Sequence, residues 1–356
     1  MEQFARLFYR VHLYQRNWMP YGETLYNANR VGCISEQMYT INPVAVNSAQ
    51  TRPNPLTPLL RWHPKRLFLV HRKRKATPVL QHTFCHAPGL GPQNERLLWD
   101  KGLRTWRDLL WSEQVPLTPH KADALIDTAR RSTHHLSERN PHFFYENLPA
   151  REHWRLFAEF RDDTAYFDIE TTGLGGPEDH ITTIVLYDGQ QLRHYVHGIN
   201  MDQFAEDVAR YKVLVSYNGK SFDAPFVRRC LQAPLDQPHI DLRYVLSSMG
   251  LKGGLKGCER QLGIDRRGLE DIDGFFAVIL WNEYWQRGDE KALHTLLAYN
   301  ALDVINLESL MVIAYNQKLA STPFAESTLP APQTHPLPFE ADHPTIRRLK
   351  AQYGLY

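Results

Sequence analysis

The segment "YFDIETTGL" places Asp168 and Glu170 two residues apart inside an otherwise apolar run. Successive side chains of a strand alternate faces, so these two carboxylates share one. In a half-buried site their mutual repulsion has to be relieved, either by a proton or by a cation. A third acid, Asp223, stands in "SYNGKSFDAPFV", where a strand ends at Asn218, turns through Gly219 and starts a helix near Ser221. A fourth, Asp303, lies in "LLAYNALDVINLESL", whose leucines and valine mark an apolar helical stripe. Tyr299 is one turn before Asp303 and shares its face. Taken singly, such acids are ordinary: a surface D-x-E, a first-turn acid that favours a helix dipole, a solvated charge. Four of them from three segments, each beside apolar sequence, are explained together by a pair of divalent cations. Oxygen donors suit Mg2+ or Mn2+, and two such ions about 4 Å apart can clamp the attacking and departing oxygens of a phosphodiester.

The elements that must position these residues read as an α/β arrangement. Strands are expected in "TAYFDIE", "ITTIVLYDG", "LRHYVHG" and "KVLVSYNG", with "PHIDLRYVL" as a fifth, and a helix in "MDQFAEDVARY". Three strands joined by short loops, then a helix and another strand, imply a mixed sheet with helices packed on it. Residues 143–162 read as an aromatic-rich connecting helix, and helices dominate from Leu255 to about Gln317.

The three segments resemble the motifs D-x-E, N-x-x-x-[FY]-D and Y-x-x-x-D of the DEDDy branch of the DnaQ-like, ribonuclease-H-like nucleases, complete and in order. With "HAPGLGPQNERLLWDKGLRTWRDLL" upstream, and "DLRYVL", "GLKGCERQLGI" and "DIDG" between the second and third motifs, residues 80–316 look most like the YprB-type family of ribonuclease-H-like exonucleases. The resemblance implies a five-stranded sheet flanked by helices, with the acids converging at one end. It implies that Asp168 bridges two Mg2+ or Mn2+ ions, that Glu170 and Asp303 complete the water-activating site, and that Asp223 holds the second ion. Tyr299 would orient the attacking water. Asn218 would fix the second-motif turn and Asp241 would support it. By analogy with related exonucleases, Leu174, Lys220 and Phe222 would contact the terminal nucleotide or scissile phosphate, though each also reads as packing or a solvated group.

Around this domain the chain changes character. Residues 1–76 hold nearly all of an asymmetry in charge: residues 1–80 carry 12 Lys/Arg against 3 Asp/Glu, leaving 29 against 36 in the rest of the 356-residue chain. A basic, poorly ordered extension is expected there. Residues 77–145 read as a small helical unit in which Gly89-Leu90-Gly91 opens a helix. The pattern resembles a helix-hairpin-helix element, whose free backbone N–H groups bind a phosphate without reading sequence; a purely structural helical hairpin is the competing reading. Residues 146–318 form the expected nuclease-like domain. Within it Lys252, Lys256 and Arg260, set among glycines, form either a phosphate track or a solvated loop. Residues 319–356 are Pro-rich and read as a flexible tail with a short basic stretch near Arg347 and Arg348.

Composition excludes other classes. The four cysteines form no C-x-x-C pair, so neither a disulfide framework nor a zinc ribbon is expected, and His82, Cys85 and His86 lack a second ligand pair. No run of about 20 unbroken apolar residues and no secretory leader is seen, so a cytoplasmic location is the default. The sequence leads to a metal-dependent nuclease, a 3′-to-5′ exonuclease acting on single-stranded ends of DNA or RNA. The alternatives are a ribonuclease-H-like endonuclease, an inactive nucleic-acid-binding module, and an adaptor acting through the Pro-rich tail.

Overall fold

The structure, a computed structural model, describes residues 79–333 and 335–355. The basic extension expected over residues 1–76 lies outside the described residues. From Val79 a four-residue 3-10 turn leads through the Gly89–Gly91 turn into helices α1 (Pro92–Asp100), α2 (Trp106–Leu110) and α3 (Pro119–Ser137). Thr105 caps α2 reciprocally with Asp108, satisfying two end N–H groups. The connecting helix expected over residues 143–162 is broken. It consists of α4 (His142–Asn147), a 3-10 stretch (Ala150–Leu156), α5 (Phe157–Phe160) and a 3-10 turn (Arg161–Asp163). Pro149 is the cause, since it forces Leu148 into an extended conformation that no helix continues.

The sheet contains β1 (Thr164–Thr171), β2 (Ile181–Tyr187), β3 (Leu192–Val196), β4 (Val213–Ser216) and β5 (His239–Asp241), in the spatial order β3-β2-β1-β4-β5. β1 is central, antiparallel to β2 and parallel to β4; β2 and β3 are antiparallel, β4 and β5 parallel. All four residues of β4 are buried, as a strand covered on both faces requires.

Alternation splits the sheet into two cores. Ala165, Phe167, Ile169, Ile184 and Leu186 face a layer that holds α6 (Phe204–Val208) and α7 (Asp223–Leu231). Tyr166, Val185, Tyr187, Val213 and Val215 face the opposite layer. That layer is completed by α8 (Leu242–Ser247), α9 (Gly254–Leu262) and above all α11 (Glu290–Ala320), while α10 (Gly274–Arg287) packs on α11 and β1. By length and composition alone α11 is apolar enough to cross a bilayer, but it is buried nearly all round inside the fold and is the core helix.

The helical segment before the sheet is not a separate body. Trp99, Trp106, Phe144, Trp154 and Phe157 belong to the same apolar cluster as Leu310 and Tyr315 of α11. A buried ion pair crosses the same junction: both nitrogens of the Arg155 fork reach Glu95, at 2.8 and 3.1 Å, and Glu95 also accepts the N–H groups of Phe84 and Cys85.

The C-terminal segment differs most from expectation. Residues 321–333 and 335–341 have no regular structure, yet they are docked, and α12 (His343–Tyr353) follows. Phe324 packs on His82 and Trp99, Asn316 pairs with both backbone groups of Leu329, and Phe339 packs on His194 of β3. Ile346 and Leu349 are buried, and Arg348 reaches Glu283 and Asp289. The flexible tail is therefore corrected to a strap. Proline stops helix and strand, but it also lowers the entropy lost when an extended chain is pinned.

Candidate active site

The sheet and α11 assemble the acids. Asp168 stands opposite Val185 and Glu170 opposite Thr183, on the face that α11 covers. Pairing slips by one residue between Glu170 and Thr171, a bulge at the end of the strand beside the carboxylates. Asp303 and Tyr299 descend from α11 one turn apart. Carboxylate oxygens of Asp168, Glu170 and Asp303 lie within 4.8 Å of one another. Asn300 orients the first of these: its Oδ1 accepts the Thr183 hydroxyl, and its Nδ2 donates to Asp168 at 2.8 Å.

Asp223 begins α7 and is 3% exposed, with Oδ1 accepting the N–H of Ile169 at 3.3 Å. It is not part of the tight group of three, but its charge acts strongly on Asp168. The turn that delivers it is specific. Asn218 takes a left-handed φ of +67°, and its side-chain oxygen accepts from Ser221 and Arg243. Asp241 accepts the backbone N–H groups of Asn218 and Lys220, at 2.8 and 3.2 Å. A Cβ on Gly219 would lie 2.1 Å from Ser216 Oγ, so only glycine fits.

Charge is concentrated here. Burial, followed by the neighbouring carboxylates, pushes Asp168 and Glu170 well above the ordinary carboxyl range. Burial lifts Asp223 to about 7 against the pull of two backbone N–H groups, and lifts Asp303 to about 6 against the pull of Arg266. The Tyr299 phenol is pushed well above its usual 10 by burial and by the three nearest acids. Two cations approach from the segment after β5. Lys256 Nζ lies 5.4 Å from the centre of the Tyr299 ring. Arg266 binds Asp303 but also Glu259, which cancels its charge. Among the described residues, Lys256 is left as the nearby cation without a carboxylate ion pair, and its ammonium donates to the Glu270 carbonyl at 3.2 Å and feels Asp273 and Glu259 as well as Asp303. The donor set is all oxygen, hard, and anionic, and it fits a divalent cation of the Mg2+ or Mn2+ kind.

The remaining expected contacts divide. Leu174 is 64% exposed at the tip of the β1–β2 loop, open to a ligand. Phe222 is half-buried against Phe226. Lys220 does not stand free: its ammonium sits 4.7 Å over the Tyr145 ring and 3.4 Å from His153, on the helical segment. Lys252 and Arg260 are exposed and Lys256 half-buried. Gly89 has a left-handed φ of +73°, and Gly91 is the extended N-cap of α1, with open space around both. The arm before this turn is a single 3-10 turn rather than an α-helix, held by the indoles of Trp99 and Trp106 bonding to His82 and Thr83 carbonyls. His86, once weighed as a ligand, bonds Ser132 inside the helical core.

Four residues of this site were not foreseen: Asn300, Asn306, Glu259 and Arg266. The two asparagines had a signal, as amides inside the apolar stripe of a core helix. The ion pair had none, because Glu259 lies in α9 and Arg266 in the irregular loop after it, and no short-range pattern links the two.

A central strand carrying D-x-E, a sheet of this order and a core helix returning a third acid define a ribonuclease-H-like domain. Residues 165–315 match the RNase_H_2 model of the RNase_H superfamily. The chain is 30% identical over 178 residues to the uncharacterized protein YprB of Bacillus subtilis (strain 168), a match spanning 43% of this chain and 42% of that protein. Both matches cover less than half of this chain, and the second spans less than half the length of the relative it matches. The family B DNA polymerase of the hyperthermophilic archaeon Pyrobaculum calidifontis, a solved structure, aligns over 44% of this chain and 29% of its own at 16% identity and a TM-score of 0.29.

Proposed function

We propose that the chain is a nuclease that hydrolyses phosphodiester bonds with two divalent metal ions, acting as a 3′-to-5′ exonuclease on single-stranded ends of DNA or RNA. One observation carries the reading: the carboxylates of Asp168 and Glu170 on a strand and of Asp303 on a helix more than 130 positions later in sequence converge within 4.8 Å, with the buried Asp223 carboxylate beside β1.

Asp168, Glu170, Asp303 and Asp223 would hold the ions. Bound Mg2+ or Mn2+ supplies a lowered pKa for the attacking water and neutralises charge on the phosphate. Tyr299, held protonated at neutral pH, is a hydrogen-bonding group that orients the water and cannot take its proton. Lys256 lies where it attracts the phosphate. Leu174, exposed on the adjoining loop, offers an apolar contact to a terminal base.

The test is incubation of the purified protein with 5′-labelled single-stranded and double-stranded DNA, RNA and hybrids in Mn2+. A ladder shortened from the 3′ end, abolished by chelator and by Asp168→Ala, is the expected result. Internal cuts would assign an endonuclease, and stoichiometric binding without turnover would refute the proposal.

A further inference from the structure

We infer that Arg266 is a positioning residue that aims Asp303 and Tyr299 together, an inference that rests on the metal-dependent reading above. Arg266 lies in the loop between α9 and α10 and is 5% exposed. One Nη donates to Asp303 Oδ1, the other to Glu259 Oε2, and the guanidinium carbon lies 5.5 Å over the Tyr299 ring. Glu259 is fully buried, and its second oxygen accepts Asn306 Nδ2 at 2.8 Å. Asn306 sits on α11 together with Tyr299 and Asp303, so the chain of contacts leaves α11, passes through Glu259 and Arg266, and returns to α11 one turn earlier.

Two features separate aiming from mere packing or neutralisation. Glu259 cancels the charge of Arg266, so the pair adds nothing to the net charge of the acid cluster. It also leaves Arg266 Nε buried without a hydrogen-bond partner. A buried ion pair with an unmet donor is a poor way to stabilise a core, where apolar residues of the same volume serve as well or better. The planar fork does supply direction: it takes one oxygen of Asp303 along a fixed line and leaves Oδ2 as that side chain's second donor. Groups that orient a metal-binding side chain in this way typically change metal affinity or activity by about 10- to 100-fold when removed.

The deciding experiment uses the full chain with Glu259 and Arg266 replaced together, E259Q/R266Q, which removes both charges and preserves net charge and approximate volume. Mn2+ uptake is read by electron paramagnetic resonance of the free ion, folding by circular dichroism, and cleavage by steady-state kinetics on a labelled oligonucleotide. The expected outcome is a folded protein whose Mn2+ affinity and kcat fall about tenfold or more while KM for the oligonucleotide is unchanged. R266K, which keeps the charge but loses the fork, should show the same loss, and it carries the readout if the double variant does not fold. Affinity and kcat within about twofold of the parent in the folded variants would overturn the inference while leaving the nuclease reading intact. A parent chain that neither takes up Mn2+ nor cleaves would overturn both.

Discussion

Replacing Asp223 by Asn in the metal-free protein should stabilise it, by an amount that depends on pH. Burial raises the Asp223 carboxyl from its ordinary 3.8 to about 7. Below pH ~4 the carboxyl holds its proton in both the folded and unfolded chain, and no penalty arises. Between about 4 and 7 the unfolded chain gives the proton up freely while the folded chain retains it, so the folded state loses relative stability as pH rises. Three units at ~1.4 kcal/mol each amount to about 4 kcal/mol near pH 7.5. Asn is uncharged and keeps an acceptor for the Ile169 N–H, so it escapes that penalty. For a chain of this size ~4 kcal/mol corresponds to about 5 °C in Tm. Buried His86, His153 and His239, whose protonation burial disfavours, tilt the absolute pH curve the other way below about 6.5. They are common to both proteins, so the difference between variant and parent cancels them. Thermal melts in chelator at pH 4, 5.5 and 7.5 should show the variant's advantage growing from near zero to several degrees. In Mn2+ at pH 7.5 the parent should gain ~2.7 kcal/mol at 100 times its Kd, and the variant less. A variant no more stable than the parent at pH 7.5 without metal would refute the claim that burial of the Asp223 carboxylate penalises its charged form.

Gly219→Ala should cost about 1–3 kcal/mol in urea melts and most of the cleavage activity, because its Cβ would meet Ser216 Oγ at 2.1 Å and push the turn that delivers Asp223. Arg155→Met should cost about 3–5 kcal/mol by the same measurement, since it leaves the Glu95 carboxylate buried without its guanidinium. Leu349→Ala should lose about 2–5 kcal/mol and, in limited proteolysis, admit cleavage between residues 321 and 341; unchanged melting and protection would mean that α12 is not docked.

How far the sequence spoke follows from the range of its physical signals. Strand alternation and helical spacing act over a few residues, so the faces carrying Asp168, Glu170, Tyr299 and Asp303 were legible, as were five strands. The return of Asp303 to Asp168 was legible only because acids beside apolar sequence demand a shared explanation. Nothing local joins Arg266 to Asp303 across 37 residues, or Arg155 to Glu95 across 60, and both pairs were missed. Pro149 was passed over within an aromatic run, although it breaks the helix there. The strap was misread because proline content reports which regular structures a segment cannot form, and says little about whether an extended segment has something to lie on.

That strap has a consequence for how the molecule opens. Phe324, Leu329, Phe339 and Leu349 are successive attachments on one tether, and each keeps the next at a high effective concentration over its seat. Contacts of this kind hold better tethered than singly, so the lead-in helices, the outer sheet edge and α10 should lose amide-exchange protection as one cooperative unit rather than piece by piece.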